Sequence, residues 1–274
     1  MNATFLFNSD LRALRRVRAG NRDQQSDAGF LFHEGAQALA DRLSFISRAF
    51  THPVFHGLDF GALQAAMPHL TPVAQIAGER EVWSLARESC DLIISNLQLH
   101  WVNDLPGLLV QIRRCLRADG FFSACLVGGE SLFELRAAIG EAETALGMAS
   151  RPRISPMIDL HTSAGLMQRA GFALPVVDHE VLSVRYQNPL KLLKDLRAMG
   201  QSNAIAGQGR MIDPKGFWPL VCEIYGQLFP HRTGGVTATF DLIFLSGWAP
   251  ASSQQQPLKP GSARMDLEEG LKNV

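Results

Sequence analysis

The sequence predicts an α/β fold: a mostly parallel sheet, covered on both faces by helices, that ends in an antiparallel edge. Three observations carry this expectation. Short apolar runs alternate with stretches whose apolar residues recur at helical spacing. The run Asp91 to Leu97 (DLIISNL) is almost continuously apolar, as a strand buried on both faces requires. Two β-rich segments, Val176 to Tyr186 and Val236 to Trp248, come late and suit the antiparallel edge that mixed sheets often carry.

Taken in order, Phe30 to Phe50 reads as an amphipathic helix with Phe32, Ala36, Leu39, Leu43 and Ile46 on one face. Val54 to Asp59 is a short strand running into a glycine-containing turn, followed by a weak helix and a strand around Val73 to Ile76. After the central strand, Asn103 or Asp104 caps a helix that has Pro106 in its first turn and Leu105, Leu108, Leu109, Ile112 and Leu116 at helical spacing. Asp119-Gly120 turns the chain into a strand from Phe121 to Val127, and Gly128-Gly129 turns it into a helix from Ser131 to Leu146. A helix from Ser163 to Ala170 stops at Gly171, and further helices span Pro189 to Met199 and Asp213 to Leu228.

Bulk properties bound the function. A chain of 274 residues with 46% hydrophobic residues builds one sizeable core. Lys+Arg and Asp+Glu are both 26, so the charge excess of a general nucleic-acid binder is missing. No apolar run reaches the roughly 18 residues that span a bilayer. Four scattered cysteines suit free thiols in a reducing compartment, and eight histidines without an HxxxH pattern give no metal assignment. Arg12, Arg15, Arg16, Arg18 and Arg22 resemble a transit peptide, but Asp10 and Asp23 interrupt them and Phe5, Phe7, Leu11 and Leu14 look like packing residues. The expected division is a basic helical segment over 1–29, an α/β domain over 30–249 and a polar tail over 250–274, in a bacterial cytoplasm.

LQLHWVNDLPGLLVQIRRCLRADGFF (97–122), GGESLFELRAAIGEAE (128–143), ISPMIDLHTSAGLMQRAGF (154–172), DLRAMGQSNA (195–204) and FNSDLRALRRVRA (7–19) together resemble a family. It is the mitochondrial complex I assembly factor and arginine hydroxylase family, with its bacterial relatives, within the class I S-adenosylmethionine methyltransferase superfamily. The resemblance implies a Rossmann-like methyltransferase fold for residues 30–249 and S-adenosylmethionine as cofactor. It also implies a protein substrate or client, a subunit of respiratory complex I, which would bring the chain to the inner membrane peripherally.

The cofactor motif departs from that pattern. Leu58-Asp59-Phe60-Gly61 resembles the family's LDxG turn, yet Ala62, Leu63, Gln64 and Ala65 stand where further glycines are expected. If two of those positions require a left-handed backbone, each side chain costs about 1–2 kcal/mol. Gly57, Asp59 and Gly61 are the candidates that remain at the turn, with Gln75 or Glu79 in place of the acid that accepts ribose hydroxyls. Only 29 residues separate Gly61 from Asp91. The usual helices and strands of that interval need roughly 60, so the third strand of the fold is expected to be missing.

On the substrate side, His100 and Trp101 follow the central strand, at the end where open α/β sheets bind ligands. They read either as a polar group and an aromatic wall facing substrate, or as a turn cap and a packing residue. Gly128 and Gly129 either keep that wall open or form a tight turn. Glu130 and Glu134 fall one helical turn apart, either as a carboxylate pair for a basic substrate side chain or as a solvated face. Arg197 and the segment 199–204 are candidate partner contacts. Three functions follow: modification of a protein side chain by methylation or hydroxylation over a degraded cofactor site, a non-catalytic chaperone on the same fold, or methylation of a small molecule.

Overall fold

The computed structural model describes residues 5–20, 29–78, 81–207 and 212–255. Its centre is a six-stranded sheet in the order β2-β1-β3-β4-β6-β5, formed by β1 (Pro53–Gly57), β2 (Ala74–Ala77), β3 (Cys90–Asn96), β4 (Leu116–Val127), β5 (Ala173–Tyr186) and β6 (Val236–Trp248). The first four strands are parallel, and β6 pairs antiparallel with both β4 and β5. This is the expected mixed sheet with an antiparallel edge. β2 is the outer strand on the other side, and no strand lies beyond it among the described residues. The segment 81–89 forms turns and loop instead, with Trp83 buried edge-on against His56 at 5.0 Å between ring centroids.

Alternation along the strands divides the core in two. Phe55, Leu92, Ile94 and Phe244 face one layer, against α2 (Phe30–Ser44), α3 (Phe60–Ala66), α5 (Phe133–Ala145), α7 (Pro189–Ala198) and α8 (Phe217–Leu228). Val54, Ile93, Phe122 and Leu245 face the other, against α4 (Leu105–Cys115) and α6 (Leu160–Arg169). The first helix, α1 (Ser9–Gly20), belongs to neither layer and packs on α7.

Local chemistry sets most element ends. Asp104, and not Asn103, caps α4: its Oδ1 accepts from Gly107 N at 2.9 Å. Asp159 and Asn188 cap α6 and α7 in the same way, and Gly171 takes the left-handed backbone (φ +81°) that ends α6. The helix expected over Phe30 to Phe50 stops at Ser44, because the chain must turn back into β1 and Arg48 is drawn to Asp119 at 2.7 Å. The helix expected from Asp213 starts at Phe217, since Asp213 is engaged by Arg153 and by Trp218 Nε1. No helix among the described residues is long and apolar enough to cross a membrane.

Candidate functional site

The strand order reverses direction between β1 and β3, so the crevice outside their carboxyl ends is where a sheet of this kind receives a ligand. Three glycine-rich or polar turns meet there. On the β1 side, Gly57 passes so close to β3 that an added Cβ would come within 2.9 Å of the Asn96 carbonyl oxygen; its lack of a side chain serves strand spacing. Asp59 caps α3 by accepting from Ala62 N at 2.8 Å, and Gly61 follows at the surface. Ala62 and Leu63, which replace glycines of the resembled motif, are buried in the core.

Within β2, Gln75 is exposed, and just past the strand Gly78 has a left-handed backbone (φ +81°). A Cβ there would lie 2.6 Å from Arg16 Nη1, so a guanidinium of α1 stands against the end of β2. Glu79, the alternative acid, lies outside the described residues, as do Arg80 and residues 21–28. On the β3 side, polar capacity survives. Gln98 is fully buried with neither amide atom hydrogen-bonded, and Asn96 donates from Nδ2 to the Phe32 carbonyl at 2.8 Å while its Oδ1 has no partner. Leu97 bends out of β3 with φ +48°. Among the described residues, unpartnered polar atoms stand on Asn96 and Gln98 at the end of β3 and on His56 of β1, whereas Gln75 brings an amide where a carboxylate would accept the ribose hydroxyls.

His100 and Trp101 sit in a single 3-10 turn after β3 (Leu99–Trp101). Trp101 is buried between Arg12, whose guanidinium carbon lies 3.7 Å from the ring centroid, and the edge of Phe7 at 5.1 Å. Its Nε1 donates to Gln201 Oε1 at 2.6 Å. An indole nitrogen only donates, which fixes the Gln201 amide with oxygen inward and Nε2 turned away. His100 Nε2 lies 3.2 Å from the same oxygen and so carries the imidazole proton, leaving Nδ1 a bare acceptor. Burial pushes His100 down to about 3; the Gln201 hydrogen bond opposes the fall and nearby Arg12 adds to it. His100 is accordingly neutral at physiological pH.

Beside this turn lies a cavity of about 270 Å³. Its apolar wall includes Val127, Leu132, Leu135, Ile139, Leu196 and Phe240. Its polar wall brings together Arg15 of α1, Arg153 and Ser155 of the 151–159 segment, Arg197 of α7, Gln201 and His100. None of Gly57, Asp59, Gly61 and Gln75 lines it. Leu132 enters α5 with φ +56°, the second strained residue at a carboxyl strand end.

The acidic candidates fall elsewhere. Glu134 does not stand with Glu130 on an exposed face: it is 1% exposed, and its carboxylate accepts from Thr239 N at 3.2 Å and Thr239 Oγ1 at 2.5 Å. Glu130 is exposed in the turn before α5 and does not line the cavity. Gly128 forms a tight turn, donating to the Asp241 carbonyl at 2.7 Å, with no room for a Cβ beside the Asp241 carboxylate. Arg153 was not singled out by its sequence context. Its side chain is 6% exposed, and the guanidinium pairs with Glu143 (2.8 Å) and Asp213 (2.6 Å). Among the described residues, no group of three or more His, Cys, Asp or Glu is placed to hold a metal ion.

A methyltransferase-domain family model matches residues 56–124. The mitochondrial arginine hydroxylase NDUFAF5 of Danio rerio is 34% identical over 196 residues, 72% of this chain and 61% of that protein. Its Homo sapiens counterpart is 28% identical over 286 residues, 96% of this chain and 83% of that protein. This chain thus spans less than two thirds of the length of the zebrafish protein. Among solved structures, a Bacillus halodurans protein assigned as a methyltransferase superposes with a TM-score of 0.51 at 11% identity, covering 78% of this chain and 99% of that one.

Proposed function

Because this chain belongs to the class I S-adenosylmethionine-dependent methyltransferase superfamily and is related to the mitochondrial arginine hydroxylases, we propose that it is a methyltransferase-like protein with a degraded cofactor site that acts on or binds a protein client. The client implied by the resemblance is a subunit of respiratory complex I. The observation that carries the reading is the contrast between the two halves of the carboxyl edge. At β1 and β2, Ala62 and Leu63 are helical residues of α3 packed into the core and the Arg16 guanidinium abuts Gly78; at β3 and β4 a cavity is kept open beside His100 and Trp101.

Methyl transfer needs the cofactor's sulfonium held against the substrate, and a carboxylate that accepts the ribose hydroxyls strengthens that hold. Gln75 does not offer that carboxylate. His100, neutral and held by Gln201, and Trp101, sandwiched by Arg12 and Phe7, form a rigid wall for a bound group.

Calorimetry with S-adenosylmethionine and S-adenosylhomocysteine tests this. Binding is expected to be absent or weaker than millimolar; a micromolar dissociation constant would overturn the degraded-site reading. A pull-down of the intact chain from its own cells is expected to retain a respiratory-complex subunit. A second reading, a methyltransferase for a small molecule, draws on one observation: the cavity beside His100 has the volume of a small ligand.

A further inference from the structure

The cavity beside His100 is unusual in what its wall offers. Among the described residues that line it, three are arginines (Arg15, Arg153 and Arg197) and none is acidic. Several polar atoms on these lining residues are buried without any hydrogen-bond partner: Arg15 Nη1, Arg153 Nη2, Gln201 Nε2, Ser155 Oγ and His100 Nδ1. The first three can only donate, the serine can do either, and only His100 Nδ1 is fixed as an acceptor. Buried donors left unmade are costly, and protein interiors rarely keep so many in one place without a partner.

Arg153 is the anchor of the group. Its side chain is 94% buried if its 6% exposure is subtracted from the whole, and Glu143 and Asp213 hold it through Nε and Nη1. Two separate carboxylates fix the guanidinium plane and leave Nη2 unused. Gln201 is fixed in the same sense, because Trp101 Nε1 and His100 Nε2 both claim its oxygen and turn its NH2 outward. The opposite wall, Leu132, Leu135, Ile139 and Leu196, is aliphatic.

We propose that this cavity binds the carboxylate of a short acyl chain, with the oxygens received by Arg153, Gln201 and the flanking Arg15 and Arg197, and the chain laid against the aliphatic wall. The volume of about 270 Å³ holds on the order of nine water-sized groups at roughly 30 Å³ each. That matches a carboxylate with a chain of five or six carbons. Among the described lining residues the unpartnered groups are donors apart from Ser155 Oγ and His100 Nδ1, which suits an anionic head and disfavours a cationic side chain such as arginine. The inference goes beyond the degraded-cofactor reading and does not rest on it, because none of the turn residues touches the cavity.

The test is titration calorimetry of the full chain, without cofactor, using hexanoate, hexanamide and hexylguanidinium, three probes that share a chain and differ in the head. Hexanoate is expected to bind at least tenfold more tightly than hexanamide, and hexylguanidinium not to bind. Arg15→Gln and Arg197→Gln, both at partly or fully exposed positions, are each expected to weaken hexanoate about tenfold and leave hexanamide unchanged; thermal melts check that both variants remain folded. Equal affinity for hexanoate and hexanamide, tighter binding of hexylguanidinium, hexanoate binding that neither variant alters, or no binding of any probe at 10 mM would each overturn the proposal. Failure of S-adenosylmethionine to bind alters none of these outcomes, so the two readings fail separately.

Discussion

His56 and His100 are both held neutral by burial, one in the second core layer and one on the cavity wall. Burial pushes His56 down to about 4, against a smaller opposing pull from the Gly78 backbone, and His100 to about 3. In the unfolded chain both return to about 6.5. Between about pH 6.5 and 4 the unfolded state therefore binds more protons than the native state, and stability falls as pH falls. Each histidine contributes a slope of about 1.4 kcal/mol per pH unit in that window. Urea melts from pH 7 to pH 4 are expected to show the combined slope, and His56→Gln to remove about half of it; an unchanged slope in the variant would refute the assignment. Residue types and spacing alone gave His100 and Trp101 their place at the end of the central strand, and the structure keeps them there. Facing was not legible. Glu134 had the spacing of a solvated face, yet Thr239, 105 positions away in the chain, draws it into the core.

α1 acts as a strap across the carboxyl ends of the sheet. Arg12 stacks on Trp101 and donates to the Gly200 carbonyl at 2.6 Å, while Arg16 reaches Gly78 and Arg15 lines the cavity. Its leading residues are pinned twice: Asn103 accepts from Phe7 N at 2.7 Å and donates to Phe7 O at 3.3 Å, and Asn8 N donates to Ala204 O at 2.8 Å. Asn103→Ala leaves Phe7 N without its acceptor, a loss of about 1–3 kcal/mol confined to the strap. Amide exchange in residues 9–20 is expected to speed up by about fivefold to a hundredfold while the strands keep their protection; unchanged exchange in α1 would show that Asn103 is not its anchor. Helices and strands themselves were largely legible, because capping residues and apolar period are local signals: Asp104, Pro106 and Gly171 each mark an end that the structure keeps. The strap was not. Five arginines in eleven residues read as part of a basic helical segment, and nothing local shows that Arg12 ends fully buried under Trp101. The cavity was equally hidden, since its polar wall is collected from α1, the turn after β3, the 151–159 segment and α7.

At the scale of the whole molecule, the sheet is a single wall shared by two apolar layers, and the question is whether the layers can come apart. Leu92 and Ile93 are neighbours in β3, both fully buried, one in each layer. Their backbone is common property: β3 pairs with β1 on one side and β4 on the other, so neither layer can be lost while the ladder stands unsupported. Leu92→Ala and Ile93→Ala each create a cavity and are expected to cost about 2–5 kcal/mol. If the sheet couples the layers, either substitution shifts one cooperative transition, and fluorescence from Trp83 in the second layer and Trp218 against the first moves with the far-ultraviolet signal. Separate midpoints for the two tryptophans in either variant would mean that α4 and α6 form a unit able to melt on its own. A common midpoint has a consequence for the carboxyl edge. The strained turns at Leu97 and Leu132 would then be held by the stability of the entire sheet, and a bound ligand in the cavity would raise that one transition by RT ln(1 + [L]/Kd), about 2.7 kcal/mol at a hundredfold excess over Kd.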